Sequence, residues 1–224
     1  MKTITFSPSS EETKLLIEPP SASKKFVPEW YKKSPAFNPD NYSQKVLKQC
    51  MPFFDATTSG YIQRTWKEIY IRPQGDQVFF DSAEGPDILT YRENPSLPVG
   101  DGYYPVEFIW QRQWSAKLPA GYSMLVTQPH NRLDLPFTTL SGIIDGDLFH
   151  HTPVGSIPFY IRKGFTGVIP VGTPMYQIMP FKRENWQSEV TPYDESDVTH
   201  KNNVMRRHFN GAYRNMFWQK KTFN

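Results

Sequence analysis

A mainly β protein, a sandwich or small barrel with an extended N-terminal arm and a C-terminal helical tail, is the fold class this sequence predicts. Three observations carry that reading. Strand-like runs separated by Gly, Pro, Asn and Asp recur at roughly ten-residue spacing between Phe53 and Arg183. The 224 residues include 21 Pro and 13 Gly, a density of backbone breakers that excludes a helical bundle or a coiled coil. No helical pattern of about a dozen residues alternates with the strands, which argues against a βαβ sheet. With 38% hydrophobic and 15% aromatic residues the chain can bury a core, and no polar linker divides it. It is therefore read as residues 1–40, an extended Pro-rich arm; 41–190, a β body; and 191–224, a basic-aromatic helical tail.

The elements follow in order. Residues 1–13 are polar and aperiodic, so they are expected to order only against something else. In the arm, Pro19, Pro20, Pro28, Pro35 and Pro39 block a long helix and a central strand, leaving extended chain with one helical turn, EWYKK, after Pro28. Phe26, Trp30, Tyr31 and Phe37 are too apolar for a solvated linker and are expected to anchor the arm, more between subunits than within one. NYSQKVLKQC reads as a short helix capped by Asn41 or Ser43, with Val46, Leu47 and Cys50 on its apolar side. PFFDATTSGYIQRTWKEIYIRP then reads as a hairpin turning at Thr58-Ser59-Gly60, with alternation through Tyr61, Gln63, Thr65 and Lys67.

QVFFDS, DILTYR, VEFIWQRQWSAKL, GYSMLVTQP, TTLSGIID, SIPFYIRKG, TGVIP and TPMYQIMPFKR continue the strand series. On VEFIWQRQWSAKL, Trp110 and Trp114 would share one face, as a core, an interface or a stacking platform. In the tail, Val204, His208 or Phe209, Ala212 or Tyr213, and Met216 or Phe217 recur at helical spacing, with Ser196 or Asp197 as the cap and Gly211 as a point of interruption. Phe209, Tyr213, Phe217 and Trp218 make this a docking helix whose Lys and Arg stay solvated.

A net charge of +3 is too small to imply nucleic acid, and no run reaches the roughly 18 to 20 apolar residues of a membrane span. The N-terminus lacks the apolar run of a signal peptide, so a soluble, unsecreted protein is expected. The lone Cys50 excludes an internal disulfide and reads as a buried, inert thiol. Among the five His, the best metal set is His130, Asp134, Asp145 and His150, without an H-E-x-x-H or H-x-D spacing, so no metal and no cofactor are expected. No G-x-S-x-G elbow, Walker A or G-x-G-x-x-G occurs. Arg162, Lys163, Lys182 and Arg183 beside turns read as solubility charges.

GIIDGDLF, FYIRKG and VGTPMYQIMPF resemble the later part of the dUTPase-like β-clip fold over residues 129–183. That resemblance implies a β-clip-like barrel in which Asp145 activates water, Leu148 stands where an aromatic packs under the sugar, and Gln177 is the strand glutamine. The R-S-G-type motif is echoed only by Pro129-His130-Asn131-Arg132, and the tail has one glycine where a Gly-rich phosphate lid would stand. PPSASKKFVPEWYKK, CMPFFDATTSGYIQRTW, GYSMLVTQPHNRLDLPFTTLSGIIDGD and FTGVIPVGTPMYQIMPFKR look like those of an uncharacterised family of tailed bacteriophages and bacteria. This second resemblance implies a phage-type protein of the host cytoplasm or the virion, with no assigned catalytic residue. The expected function is therefore a non-enzymatic structural or assembly protein that contacts copies of itself or other virion proteins. The alternatives are a dUTPase-like nucleotide-pocket enzyme or binder using Asp145 and Gln177, and a carbohydrate or host-surface binding module using Trp110 and Trp114.

Overall fold

The computed structural model describes residues 2–42, 44–75, 77–92, 98–150, 157–207 and 211–224. Its elements run β1 (Thr5–Pro8), α1 (Glu11–Leu16), β2 (Ser21–Ala22), α2 (Glu29–Lys33), α3 (Met51–Thr58), β3 (Tyr61–Arg64), β4 (Ile69–Gln74) and β5 (Gln77–Ser82). Then follow β6 (Leu89–Arg92), β7 (Glu107–Trp110), β8 (Trp114–Lys117), β9 (Tyr122–Thr127), β10 (Phe137–Thr139), β11 (Gly142–Ile144) and β12 (Ile157–Ile161). β13 (Gly167–Ile169), β14 (Pro174–Lys182), α4 (Glu195–Arg206) and α5 (Ala212–Met216) complete the chain, with 3-10 turns at Ser23–Phe26 and Leu47–Gln49.

The fold is mainly β, as the period-two pattern predicts. The described strands pair antiparallel in sheets ordered β1–β8, β10–β12–β7–β6, β11–β9–β14–β3–β2 and β13–β4–β5, and among the described residues no sheet closes on itself. One core lies among them. Ile69 and Ile71 of β4, Phe108 and Trp110 of β7, Phe137 of β10, Phe159 and Ile161 of β12, and Met175 and Tyr176 of β14 are all buried in it. Trp110 stacks on Phe159 with ring centroids 3.6 Å apart. Each such ring contributes roughly 1.5–3 kcal/mol by leaving water.

Several elements depart from the sequence reading. Residues 51–58 form α3, not the first strand of a hairpin: Pro52 suits a helix start, and Phe53 turns its ring onto Tyr31 of α2 at 5.4 Å. The helix ends at Ser59, and Gly60, at φ +73°, approaches the Ile178 carbonyl so closely that a Cβ would stand 2.2 Å from its oxygen. β3 therefore pairs with β14 and β2 instead of with residues 51–58. The helix expected over 41–50 reduces to the 3-10 turn at Leu47–Gln49; Cys50 is exposed, not buried, and Ser43 lies outside the described residues.

VEFIWQRQWSAKL breaks into β7 and β8, which belong to different sheets. Both tryptophans are buried, Trp114 donating from Nε1 to the Ile17 carbonyl, so they form no exposed platform. TTLSGIID likewise splits into β10 and β11. Residues 2–13 are ordered by the chain's own body: β1 pairs residue for residue with β8, and Ser10 caps α1 by accepting from the Thr13 amide. In the tail, Asp194 is the cap of α4, accepting from the Ser196 and Asp197 amides. Gly211, at φ +76°, precedes the separate α5, while His208 and Phe209 lie outside the described residues.

Candidate functional site

Asp145 follows β11 at the start of a turn, where its carbonyl accepts from the amides of Leu148 and Phe149. Gly146 does not adopt a positive φ; what it supplies is space, since a Cβ there would lie 3.0 Å from Leu118. The Asp145 carboxylate accepts from Ser123 Oγ at 2.6 Å and from Arg183 Nη1 at 3.2 Å. Arg183 is therefore no mere solubility charge. It donates to Asp147 Oδ1 at 2.7 Å, and Asp147 also accepts from the Gly121 amide at 2.8 Å. The Arg183 hydrogen bond holds the Asp147 carboxyl down to about 2, against the burial that pushes it up, and Asp147 in turn raises Arg183. Sequence reasoning missed Asp147 and Ser123, although the D-G-D spacing at 145–147 was a signal for paired carboxylates.

Gln177 sits at the centre of β14 and is fully buried. Its Nε2 donates to the carbonyls of Ala56 at 3.0 Å and Ser59 at 2.6 Å, which terminate α3. Its Oε1 accepts from the His130 amide at 2.8 Å and lies 3.1 Å from His130 Nδ1. Both ends of the amide are thus occupied by the protein. Beside it, Asn131, at φ 62°, donates from Nδ2 to Thr57 Oγ1, so the PHNR segment serves as a clamp on α3. Gln177 is opposite Thr127 in the β14–β9 register, whereas the Ser123 that holds Asp145 is opposite Phe181. Four residues of strand separate the two candidates, roughly 13 Å at about 3.3 Å per residue, so the fold does not bring them to one reacting atom. Leu148 is exposed beside Asp145, with no aromatic in its place.

The aromatic anchors have separate fates. Tyr31 is buried, Trp30 meets both Tyr31 and Phe53 edge-on, and Phe26 lies under the Arg64 guanidinium at 4.7 Å. The Asp134 carboxyl is pushed up by burial, but the Arg132 hydrogen bonds and charge, with a further hydrogen bond from Trp30, hold it below its ordinary value. Phe37, Tyr213 and Phe217 are exposed. Trp218 donates to Asp55 Oδ2 at 2.9 Å, joined there by Lys221 at 2.7 Å. Phe223 meets Tyr61 edge-on, and Lys24 donates to Asn224, so the chain end lies against the arm. Phe209 is outside the described residues.

Two features were not anticipated. Residues 181–203 are exposed throughout, including Trp186 at 88%, Val190 at 97% and Tyr193 at 78%. A cleft of about 740 Å³ opens between arm residues Phe26–Glu29 and the loops around Arg132–Pro136 and Val168–Pro174. The candidate metal set is not assembled: His130 is held by Gln177, Asp134 by Arg132 and Asp145 by Ser123, and among the described residues no three His, Cys, Asp or Glu side chains are placed to share a cation. No described helix is long and apolar enough to cross a membrane.

No family model matches the chain, and no curated protein matches it. Among solved structures, a mutant dUTPase from phage phi11 of S. aureus aligns over 86% of this chain and 97% of that one, at 13% identity and a TM-score of 0.37. A likeness of that degree carries no argument about this chain. The motif resemblances to phage-type and dUTPase-like proteins rest on their own residues.

Proposed function

We propose that this chain is a non-enzymatic structural or assembly protein of phage type that acts through protein–protein contacts. The observation that carries the reading is the exposed run 181–203, which holds out Trp186, Val190 and Tyr193 between two anchored ends. One end is Arg183, whose amide donates to Gly121 and whose guanidinium grips Asp147; the other is Trp218 on Asp55. Large apolar side chains displayed in one stretch favour a partner surface that removes them from water. The dUTPase-like alternative needs Asp145 and Gln177 to meet a common substrate, and both are engaged by protein groups about 13 Å apart along the strands.

Light scattering on the full chain, with a thermal-shift screen of nucleotides, separates the two readings. The expected result is a mass that is a multiple of 26.1 kDa and falls when Trp186, Val190 and Tyr193 are changed together to Ser, with no shift from dUTP. A monomer stabilised by dUTP overturns the proposal.

A further inference from the structure

Residues 184–195 read ENWQSEVTPYDE and carry Glu184, Glu189, Asp194 and Glu195 with no Lys or Arg among them. Pro192 biases the residue before it toward extended backbone, and the segment carries no helix or strand until α4 begins at Glu195. It is an acidic extended strip studded with large apolar side chains. The same chain holds an apolar cleft. The 740 Å³ cleft is walled by Phe26, Pro136, Phe165 and Val171, and its volume lies within the range that takes a few large side chains. Its charged groups are already paired with one exception: Arg132 is held by Asp134 and Glu29 by Lys32, whereas no carboxylate pairs with Arg162 among the described residues. The Arg162 Nε–H is buried there without a hydrogen-bond partner.

Geometry separates the strip from the cleft of its own molecule. Pro174, at the start of β14, lines the cleft, and Arg183 follows the end of that nine-residue strand. The strip therefore starts roughly 30 Å from the cleft, while Trp186, three residues on, extends at most about 11 Å from Arg183. Trp186 therefore cannot seat in the cleft of its own molecule, and since one sequence carries both strip and cleft, a second copy suffices as the partner.

We infer that residues 184–195 of one copy seat in the arm-lined cleft of a second copy, with Trp186 in its apolar part and Glu189 on the Arg162 guanidinium. This rests on the assembly reading and specifies its contact. A desolvated carboxylate–guanidinium pair supplies register, and the aromatic supplies buried area.

The test uses the full chain with Cys50→Ser, which removes the native thiol. Gln187→Cys, which keeps the Trp186 anchor, is placed in one population and Leu133→Cys, at the exposed lip of the cleft, in another; the two are mixed under a mild oxidant. A cross-linked heterodimer is expected, together with at least tenfold weaker self-association in Arg162→Glu and in Trp186→Ala. Self-association is expected to recover when Arg162→Glu is combined with Glu189→Lys. Because Trp186 lies in an exposed segment, its variant decides the matter should Arg162→Glu fail to fold. If the wild type associates and none of these variants weakens it, or if no mixed cross-link forms, the contact is overturned while the assembly reading stands. If the wild type is monomeric throughout, both fall.

Discussion

At the residue scale, two polar side chains show how burial assigns roles. Gln177 closes the last carbonyls of α3 and holds the His130 loop, so its amide is consumed by the fold. Replacing it with Leu leaves several buried backbone groups without partners, each costing about 1–3 kcal/mol, and a loss near 3 kcal/mol is expected in urea unfolding. A change below 1 kcal/mol would mean that the clamp is dispensable. Asp147 offers a test in pH. Its folded carboxyl is depressed to about 2 by Arg183, below its ordinary value of 3.8. The stabilisation it contributes is therefore fully present above roughly pH 5 and is lost as pH falls from about 4 through 2. The stability difference between wild type and Asp147→Asn should be constant at neutral pH and shrink across that acid window. A difference that does not change with pH would remove Arg183 as the cause.

At the element scale, α3 and the tail decide where the ends of the chain go. MPFFDATT has the aromatic content of a strand, yet it folds as a helix because Pro52 opens it, Gly60 ends its turn and Phe53 finds Tyr31 to pack against. The far face of α3 presents Asp55 to Trp218 and Lys221, tying residues 218–224 to the body. Asp55→Ala is expected to speed amide exchange across 211–224 while leaving exchange in β9 and β14 unchanged. Equal protection in both proteins would show that the Phe223–Tyr61 contact alone holds the end. α4 is a well-capped helix exposed over most of its length, a state that local capping stabilises but that tertiary packing does not.

At the scale of the whole molecule, the arm belongs to the body. β1 covers the edge of β8, Ile17 and Tyr31 are buried, and Trp114 hydrogen-bonds to the arm. The sequence alone suggests that removing residues 1–40 spares the body. The structure instead predicts that this deletion lowers the unfolding midpoint markedly, because it uncovers a strand edge and several large apolar side chains. A truncated chain with unchanged denaturant midpoint would contradict this. Chemistry at this scale is expected to be absent: dUTP and dCTP should not be turned over at enzyme-like rates. Turnover abolished by Asp145→Asn would reverse that conclusion and make Asp145 the base.

The sequence by itself determined that the chain is β-rich, where most strands between 69 and 182 lie, and that EWYKK forms a helical turn, because period-two alternation and Pro-Gly punctuation are local signals. Tertiary structure alone decided that Trp110 and Trp114 part into separate sheets, that the polar Gln63, Thr65 and Lys67 are buried along with Ile62, and that Asp145 and Gln177 stay apart. The reason is that burial and register depend on what covers a strand. The Gln63 amide faces the Glu18 carbonyl, and the Lys67 ammonium reaches the carbonyls of Ala83 and Gly85, partners remote in sequence or set by a loop's path. No local pattern encodes such meetings, whereas the alternation that builds each strand is written within a few residues.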